Sequence, residues 1–296
     1  MRLHSSRVRY LGGDNGMAQD LVGPDGEANT LYPILRRDDR RAERGSLCAL
    51  TVMAKAPRAG KVKTRLSPPL TLKESAALNI CFLRDTTRNI AEVAARGSAA
   101  GLVCYTPVGD EAAFDGLLPE GFALIAQRGD GFGERLRAAT EDILACGFGA
   151  VCLIDSDSPT LPAFALERAV EELAKPGDRV VLGGSDDGGY YLIGLKRVHP
   201  EPFERISWST NVVYEETVDR IREARIELVE MPTWYDVDDA ATLAVLEQEL
   251  LDGLRPGFAS ADGYSAVSTK AYLEDRRKAA AQNSGSARQE PVRSAQ

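Results

Sequence analysis

Ala150-Val-Cys-Leu-Ile-Asp-Ser-Asp-Ser-Pro-Thr-Leu-Pro162 is the stretch on which the reading of this chain turns. The apolar run Ala150 to Asp155 reads as a strand, and it gives way to a Pro-limited loop that presents two carboxylates. The same pattern extends outward in both directions. Further strands are expected at Cys48 to Ala54, Gly101 to Tyr105, Ala123 to Ala126, Arg179 to Leu182, Tyr190 to Leu195 and Ile226 to Glu230. Helical periodicity fills the gaps, at Leu72 to Ala95, Glu111 to Leu117, Phe132 to Ala145, Pro162 to Ala174, Asn211 to Ala224 and Asp239 to Leu251. Short strands alternating with longer helices predict one α/β domain whose mostly parallel sheet is sandwiched by helices. In open sheets of this kind ligands bind beyond the carboxyl ends of the strands, so the chemistry is expected there.

Asp155 and Asp157 stand at such an end. Residues two apart on an extended chain face one side, so both carboxylates can address a single divalent cation. Mg²⁺ and Mn²⁺ prefer oxygen ligands and often take only one or two protein carboxylates, with the phosphates of a nucleotide filling other positions. The structural alternative makes Asp157 or Ser158 a helix cap. Trp234-Tyr-Asp-Val-Asp-Asp239 repeats the spacing: Asp236 or Asp238 could complete the metal shell, while Asp239 is placed to cap the helix beginning at Ala240.

The first strand runs into Lys55-Ala-Pro-Arg-Ala-Gly-Lys-Val-Lys-Thr-Arg65, the densest basic cluster of the core. Its backbone N–H groups and the side chains of Lys55, Arg58, Lys61, Lys63 and Arg65 suit phosphate binding, although a solvated basic loop would look the same. It is not a P-loop, because Gly60-Lys61 is followed by Val62 rather than Ser or Thr. Two glycine-rich segments follow other strands, Gln127-Arg-Gly-Asp-Gly-Phe-Gly-Glu134 and Gly183-Gly-Ser-Asp-Asp-Gly-Gly-Tyr-Tyr191. Asp187 is the expected catalytic residue, orienting or deprotonating an acceptor hydroxyl. Gly188, Gly189, Tyr190 and Trp208 are expected to wall the acceptor pocket, against the plainer reading of a tight turn and a helix staple. Ser209, Thr210 or Asn211 is expected to cap the helix that follows.

Composition narrows the classes. A net charge of −8 over 296 residues argues against a nucleic-acid partner, and 44% hydrophobic content supports a sizeable core. No stretch reaches the roughly 18 apolar residues of a membrane span and no apolar signal core follows the N-terminus, so a cytoplasmic protein without a membrane partner is expected. The five cysteines form no Cys-x-x-Cys pair and read as core thiols. His199 is too isolated for a Ser-His-Asp or Cys-His mechanism. Residues 1–46 are expected as a disordered lead-in and 255–296 as a mostly disordered tail with one short helix around Thr269 to Ala281, which leaves 47–254 as the catalytic domain.

Six blocks in order resemble the rSAM/selenodomain-associated transferase type of the nucleotide-diphospho-sugar transferase superfamily, the GT-A-like glycosyltransferases. They are Lys55-Ala-Pro-Arg-Ala-Gly-Lys-Val-Lys-Thr-Arg-Leu66, Gly131-Phe-Gly-Glu-Arg-Leu136, Ser156-Asp-Ser-Pro159, Asp187-Gly-Gly-Tyr-Tyr-Leu-Ile-Gly-Leu195, Trp208-Ser-Thr210 and Asp236-Val-Asp238. The resemblance spans most of Leu47 to Leu251. It implies a GT-A, Rossmann-like sheet, the basic loop near nucleotide phosphates and Asp157 near a metal. Asp155 departs from the family's usual Gly, and Asp239-Ala-Ala-Thr-Leu243 departs from its Thr-Pro-Glu-Asp-Leu. The basic block also resembles the Lys-Ser-Arg-Leu segment of phospholactate guanylyltransferases. The expected function is therefore glycosyl transfer from a nucleotide-diphosphate sugar to a small-molecule acceptor, with Mg²⁺ or Mn²⁺. The alternatives are nucleotidyl transfer from a nucleoside triphosphate and a non-catalytic nucleotide sensor.

Overall fold

Eight strands form one sheet within residues 30–286, the part of the chain that the structure, a computed structural model, describes. In chain order they are β1 (Ile34–Leu35), β2 (Cys48–Lys55), β3 (Ala99–Thr106), β4 (Ala123–Ala126), β5 (Ala150–Ile154), β6 (Arg179–Ser185), β7 (Tyr190–Leu195) and β8 (Glu227–Trp234). Across the sheet the order is β1-β4-β3-β2-β5-β7-β6-β8, and only β7 runs antiparallel to its neighbours. The helices are α1 (Leu72–Ala94), α2 (Phe132–Ala145), α3 (Ala163–Ala174), α4 (Val213–Glu223), α5 (Ala240–Asp252) and α6 (Val267–Ser286).

The pleat sorts the central strands between two apolar layers. Leu50, Val52, Cys152 and Ile154 pack with Leu78 and Phe82 of α1 and Leu166 of α3. Ala49, Val151 and Leu153 face the other way, onto Leu136 and Ile143 of α2 and Val218 and Ile221 of α4. A strand covered on both faces must be apolar throughout, which is why β5 is buried along its whole length. All five cysteines are buried free thiols, and Cys48 and Cys152 lie with sulfurs 3.8 Å apart on adjacent strands. No helix among the described residues is long and apolar enough to cross a membrane.

Three expectations need correction. The helix expected at Glu111 to Leu117 is a short 3-10 turn, Glu111–Phe114, because the Glu111 carboxylate turns back to accept from Gly109 N–H and the Tyr105 hydroxyl. The lead-in is not wholly disordered: from residue 30 it supplies β1, paired in parallel with β4 at Ile34–Leu124, and residues 1–29 lie outside the described residues. A two-residue strand is too short to show periodicity. The tail, expected to be mostly disordered apart from a short helix around Thr269 to Ala281, carries that helix in longer form as α6, which packs on α1 and buries Leu273. Its first turn is closed by Asp85 of α1, which accepts from Ser268 N–H at 2.9 Å and Thr269 N–H at 2.7 Å. A cap supplied from so far along the chain leaves no local signal.

The chain lays β3 and β4 to one side of β2 and every strand from β5 onward to the other. The order therefore reverses between β2 and β5, and a crevice opens at their carboxyl ends, where Lys55 and Asp155 leave the sheet.

Candidate functional site

The loop leaving β2 is tied into the acidic side of the crevice by Lys63. Its ammonium has three donors and three acceptors around it: Val237 O at 2.8 Å, Asp238 Oδ1 at 2.7 Å and Asp157 Oδ2 at 2.8 Å. The side chain is only 5% exposed, and its backbone sits in the left-handed region at φ 47, a conformation that a non-glycine residue holds only when its surroundings impose it. Burial alone would depress the Lys63 pKa, but Asp157 and Asp238 outweigh it and raise the pKa above 10.5. Lys63 thus has no donor left for phosphate, which corrects the role expected of it. Arg58 ion-pairs with Asp110 at 2.5 Å and does not line the cavity beside the loop, whereas Arg65, paired with Asp238 at 3.2 Å, does.

Lys55, Lys61 and Arg65 line a cavity of about 260 Å³ with Asn79, Ser156 and Asp157, and Lys63 forms part of the same wall. A second cavity, of about 520 Å³, is lined by Asp155, Asp157, Asp187, Asp236 and Asp238, with Arg65 and an aromatic wall. Arg65, Asp157 and Asp238 belong to both, so the basic loop and the strand-end carboxylates meet in one crevice.

Asp155 organises the loop after β5: its Oδ2 accepts from Ser158 Oγ at 2.8 Å and its Oδ1 from Asp157 N–H at 3.3 Å. Neither Asp157 nor Ser158 caps α3, whose N-cap position is Pro162. Loss of hydration, followed by the charges of Asp157 and Asp236, pushes the Asp155 pKa well above the carboxylate range. Asp236 is raised to about 7, first by burial and then by Asp238, Asp187 and Asp157. Carboxylates that hold one another's protons on in this way are an all-oxygen donor set short of positive charge, which suits a hard divalent cation. Among the described residues no three His, Cys, Asp or Glu side chains already converge on a single point.

The β6–β7 turn brings Asp187 to the second cavity, where its Oδ1 accepts from Gly189 N–H at 2.8 Å. Gly189, Tyr190 and Trp208 line that cavity. Gly188 does not; it packs beneath the turn, at φ +91, where an added Cβ would lie 2.0 Å from Asn211 O. Gly188→Ala combines a strained backbone with this clash, and it is expected to lower the unfolding free energy by about 2–3 kcal/mol in a denaturant titration. A loss under about 0.5 kcal/mol would show that the turn is free to shift.

Asp239 caps α5 as expected, accepting from Ala241 N–H at 2.9 Å and Thr242 N–H at 3.0 Å. The cap expected at Ser209, Thr210 or Asn211 is absent: α4 starts after Val212 without a side-chain cap, and Thr210 Oγ1 donates instead to Ser207 O. These three residues line the second cavity. Phe132, the first residue of α2, lines it too and was not foreseen, nor was Asn79 of α1 on the first cavity. An exposed aromatic at a helix start and a polar residue on the buried face of α1 were the available signals.

A family described as uncharacterized protein conserved in bacteria, DUF2064, matches residues 89–210. A crystal structure of a protein from Desulfovibrio desulfuricans G20, assigned provisionally as a nucleotide-diphospho-sugar transferase, is 29% identical, covers 79% of this chain and 98% of its own, and superposes with a TM-score of 0.64. Remoter likenesses are CMP:2-keto-3-deoxy-manno-octonic acid synthetase complexed with CTP and 4-diphosphocytidyl-2C-methyl-D-erythritol synthase from Anaerococcus prevotii. The first is 14% identical, covers 71% of this chain and 100% of its own, and has a TM-score of 0.46. The second is 10% identical, covers 70% and 99%, and has a TM-score of 0.44. No curated protein matches the chain.

Proposed function

We propose that this chain is a divalent-cation-dependent glycosyltransferase that takes its sugar from a nucleotide-diphosphate donor and passes it to a small acceptor, with residues 47–254 as its catalytic domain. The observation behind this reading is the single crevice in which Lys55, Lys61 and Arg65 face the carboxylates of β5, the β6–β7 turn and the segment after β8. Lys55, Lys61 and Arg65 are the phosphate-facing groups. Asp157, with Asp236 and Asp238, would hold Mg²⁺ or Mn²⁺, which when bound stabilises the negative charge of a departing diphosphate. Asp155 positions Asp157 from behind. In the transfer an acceptor hydroxyl oxygen bonds to the anomeric carbon while the bond from that carbon to the diphosphate oxygen breaks. The electron pair leaves with the diphosphate and the hydroxyl proton goes to Asp187.

The test is calorimetric titration with UDP, GDP, CDP and dTDP sugars in the presence of Mg²⁺ or Mn²⁺, followed by product analysis. One donor is expected to bind in a metal-dependent way and to yield the nucleoside diphosphate. Pyrophosphate from a nucleoside triphosphate would replace this reading with nucleotidyl transfer, and tight nucleotide binding without product would leave a sensor. Asp157→Ala is expected to weaken metal-dependent binding by at least about tenfold. Asp236→Asn, which leaves the Lys63 contacts in place, serves as the second variant. Unchanged metal dependence in both removes the cation from the proposal.

A further inference from the structure

The second cavity reveals more about the acceptor than the transferase reading on which this inference rests. We infer that the acceptor is a polyhydroxylated ring, neutral or amine-bearing and not anionic, and that Phe132 and Trp208 form the platform on which it lies.

Charge gives the first half. Five carboxylates line the cavity against the guanidinium of Arg65, with the Lys63 ammonium beside them. A divalent cation and the diphosphate that it holds cancel one another, so the acceptor meets a net negative wall. Of the groups counted at this cavity, three carboxylates would still face one guanidinium and one ammonium even were two to carry protons. A phosphate or carboxylate brought into a confined space of that sign is repelled, whereas hydroxyl and ammonium groups find acceptors.

The aromatic wall gives the second half. Phe132 is 52% exposed, so it adds little to the core, yet its ring stands 5.2 Å from Trp208 at 79°. Trp208 in turn lies 6.3 Å from Tyr190. Trp208 is held down on α2 because Gly133 has no side chain: a Cβ there would come within 2.7 Å of both Trp208 Nε1 and Phe203 O. An apolar platform bordered by Ser209, Thr210, Asn211 and Asp187 fits a molecule with a C–H face and a hydroxylated rim.

The experiment uses the whole chain with Mn²⁺ and the nucleoside diphosphate that it binds best. Binding is measured for four methyl glycosides: a neutral hexoside, its 2-amino derivative, its 6-phosphate and its uronic acid. The first two are expected to bind at least about tenfold more tightly than the last two. Phe132→Ala is expected to weaken the neutral ligand by about tenfold, and Phe132→Tyr to restore it. Because Phe132 is half exposed, the substitution does not threaten the fold. Equal or tighter binding of the 6-phosphate or the uronate overturns the inference, as does binding of none of the four or indifference to Phe132→Ala. Failure of the transferase reading shows in other measurements, whatever the glycosides do: pyrophosphate in place of nucleoside diphosphate, nucleotide bound without product, or no metal-dependent nucleotide binding at all.

Discussion

Exchanging Asp157 and Asp238 together for asparagine is expected to lower the unfolding free energy by about 3 kcal/mol or more, because it leaves the Lys63 ammonium in the protein without a countercharge. The side chains of Asp157 and Asp238 are 29% and 37% exposed and can be hydrated, whereas that of Lys63 is 5% exposed and cannot. The reverse change, Lys63→Met, is therefore expected to cost less, about 1–2 kcal/mol, since it leaves behind only carboxylates that water reaches. Adding Lys63→Met to the double variant should recover at least half of the loss. Urea titration of the four proteins measures all of this. If Lys63→Met proves the costlier change, the ammonium is not the group that needs its partners. The pH dependence has a definite sign. With its pKa raised, Lys63 contributes fully below its unfolded value and loses that contribution only as pH rises through the folded one, so alkaline and not neutral conditions should erase the difference between the variants.

Asp85→Ala is expected to cost about 3 kcal/mol and to loosen α6. Two backbone hydrogen bonds to a charged group are lost, each worth about 1.5–3 kcal/mol, offset in part because a buried charge is removed as well. The carboxylate has no exposed surface, and Arg88 NH1 lies 3.6 Å away. Limited proteolysis should cut within α6 of the variant before the remainder of the chain. Unaltered stability and cleavage would mean that Leu273 and Tyr272 anchor the helix without the cap.

Most of the sheet was readable because apolar runs such as Ala150 to Ile154 and capped periodic segments such as α1 carry local signals. Thr71 and Glu74 close the first turn of α1 by themselves, and its bounds followed. The parts that were not readable depend on distant partners. β1 needs β4, and the start of α6 at Val267, ahead of the expected Thr269, needs Asp85. At the site, residue types and strand ends pointed to groups that the fold gathers into one crevice, but the contacts of each depend on where each donor finds its acceptor. Lys63 and Lys61 look alike in the sequence and line the same cavity, yet the structure buries the Lys63 ammonium against two aspartates and leaves Lys61 exposed. Phe132 read as an ordinary helix residue until Gly133 let Trp208 settle beside it.

Strand β7 runs against its neighbours, and so the β6–β7 connection needs only residues 186–189 instead of a helical crossover. That turn is fastened by Ser185 N–H to Gly189 O at 2.9 Å and by Tyr214 N–H to Gly188 O at 2.8 Å. The opposite flank, between β2 and α1, is a long connection. One jaw of the crevice is thus a short, doubly fastened turn and the other a long loop pinned at Lys63, so under the proposed transferase reading exchange of the residues around Lys63 should retune donor preference while Asp187 stays where it is.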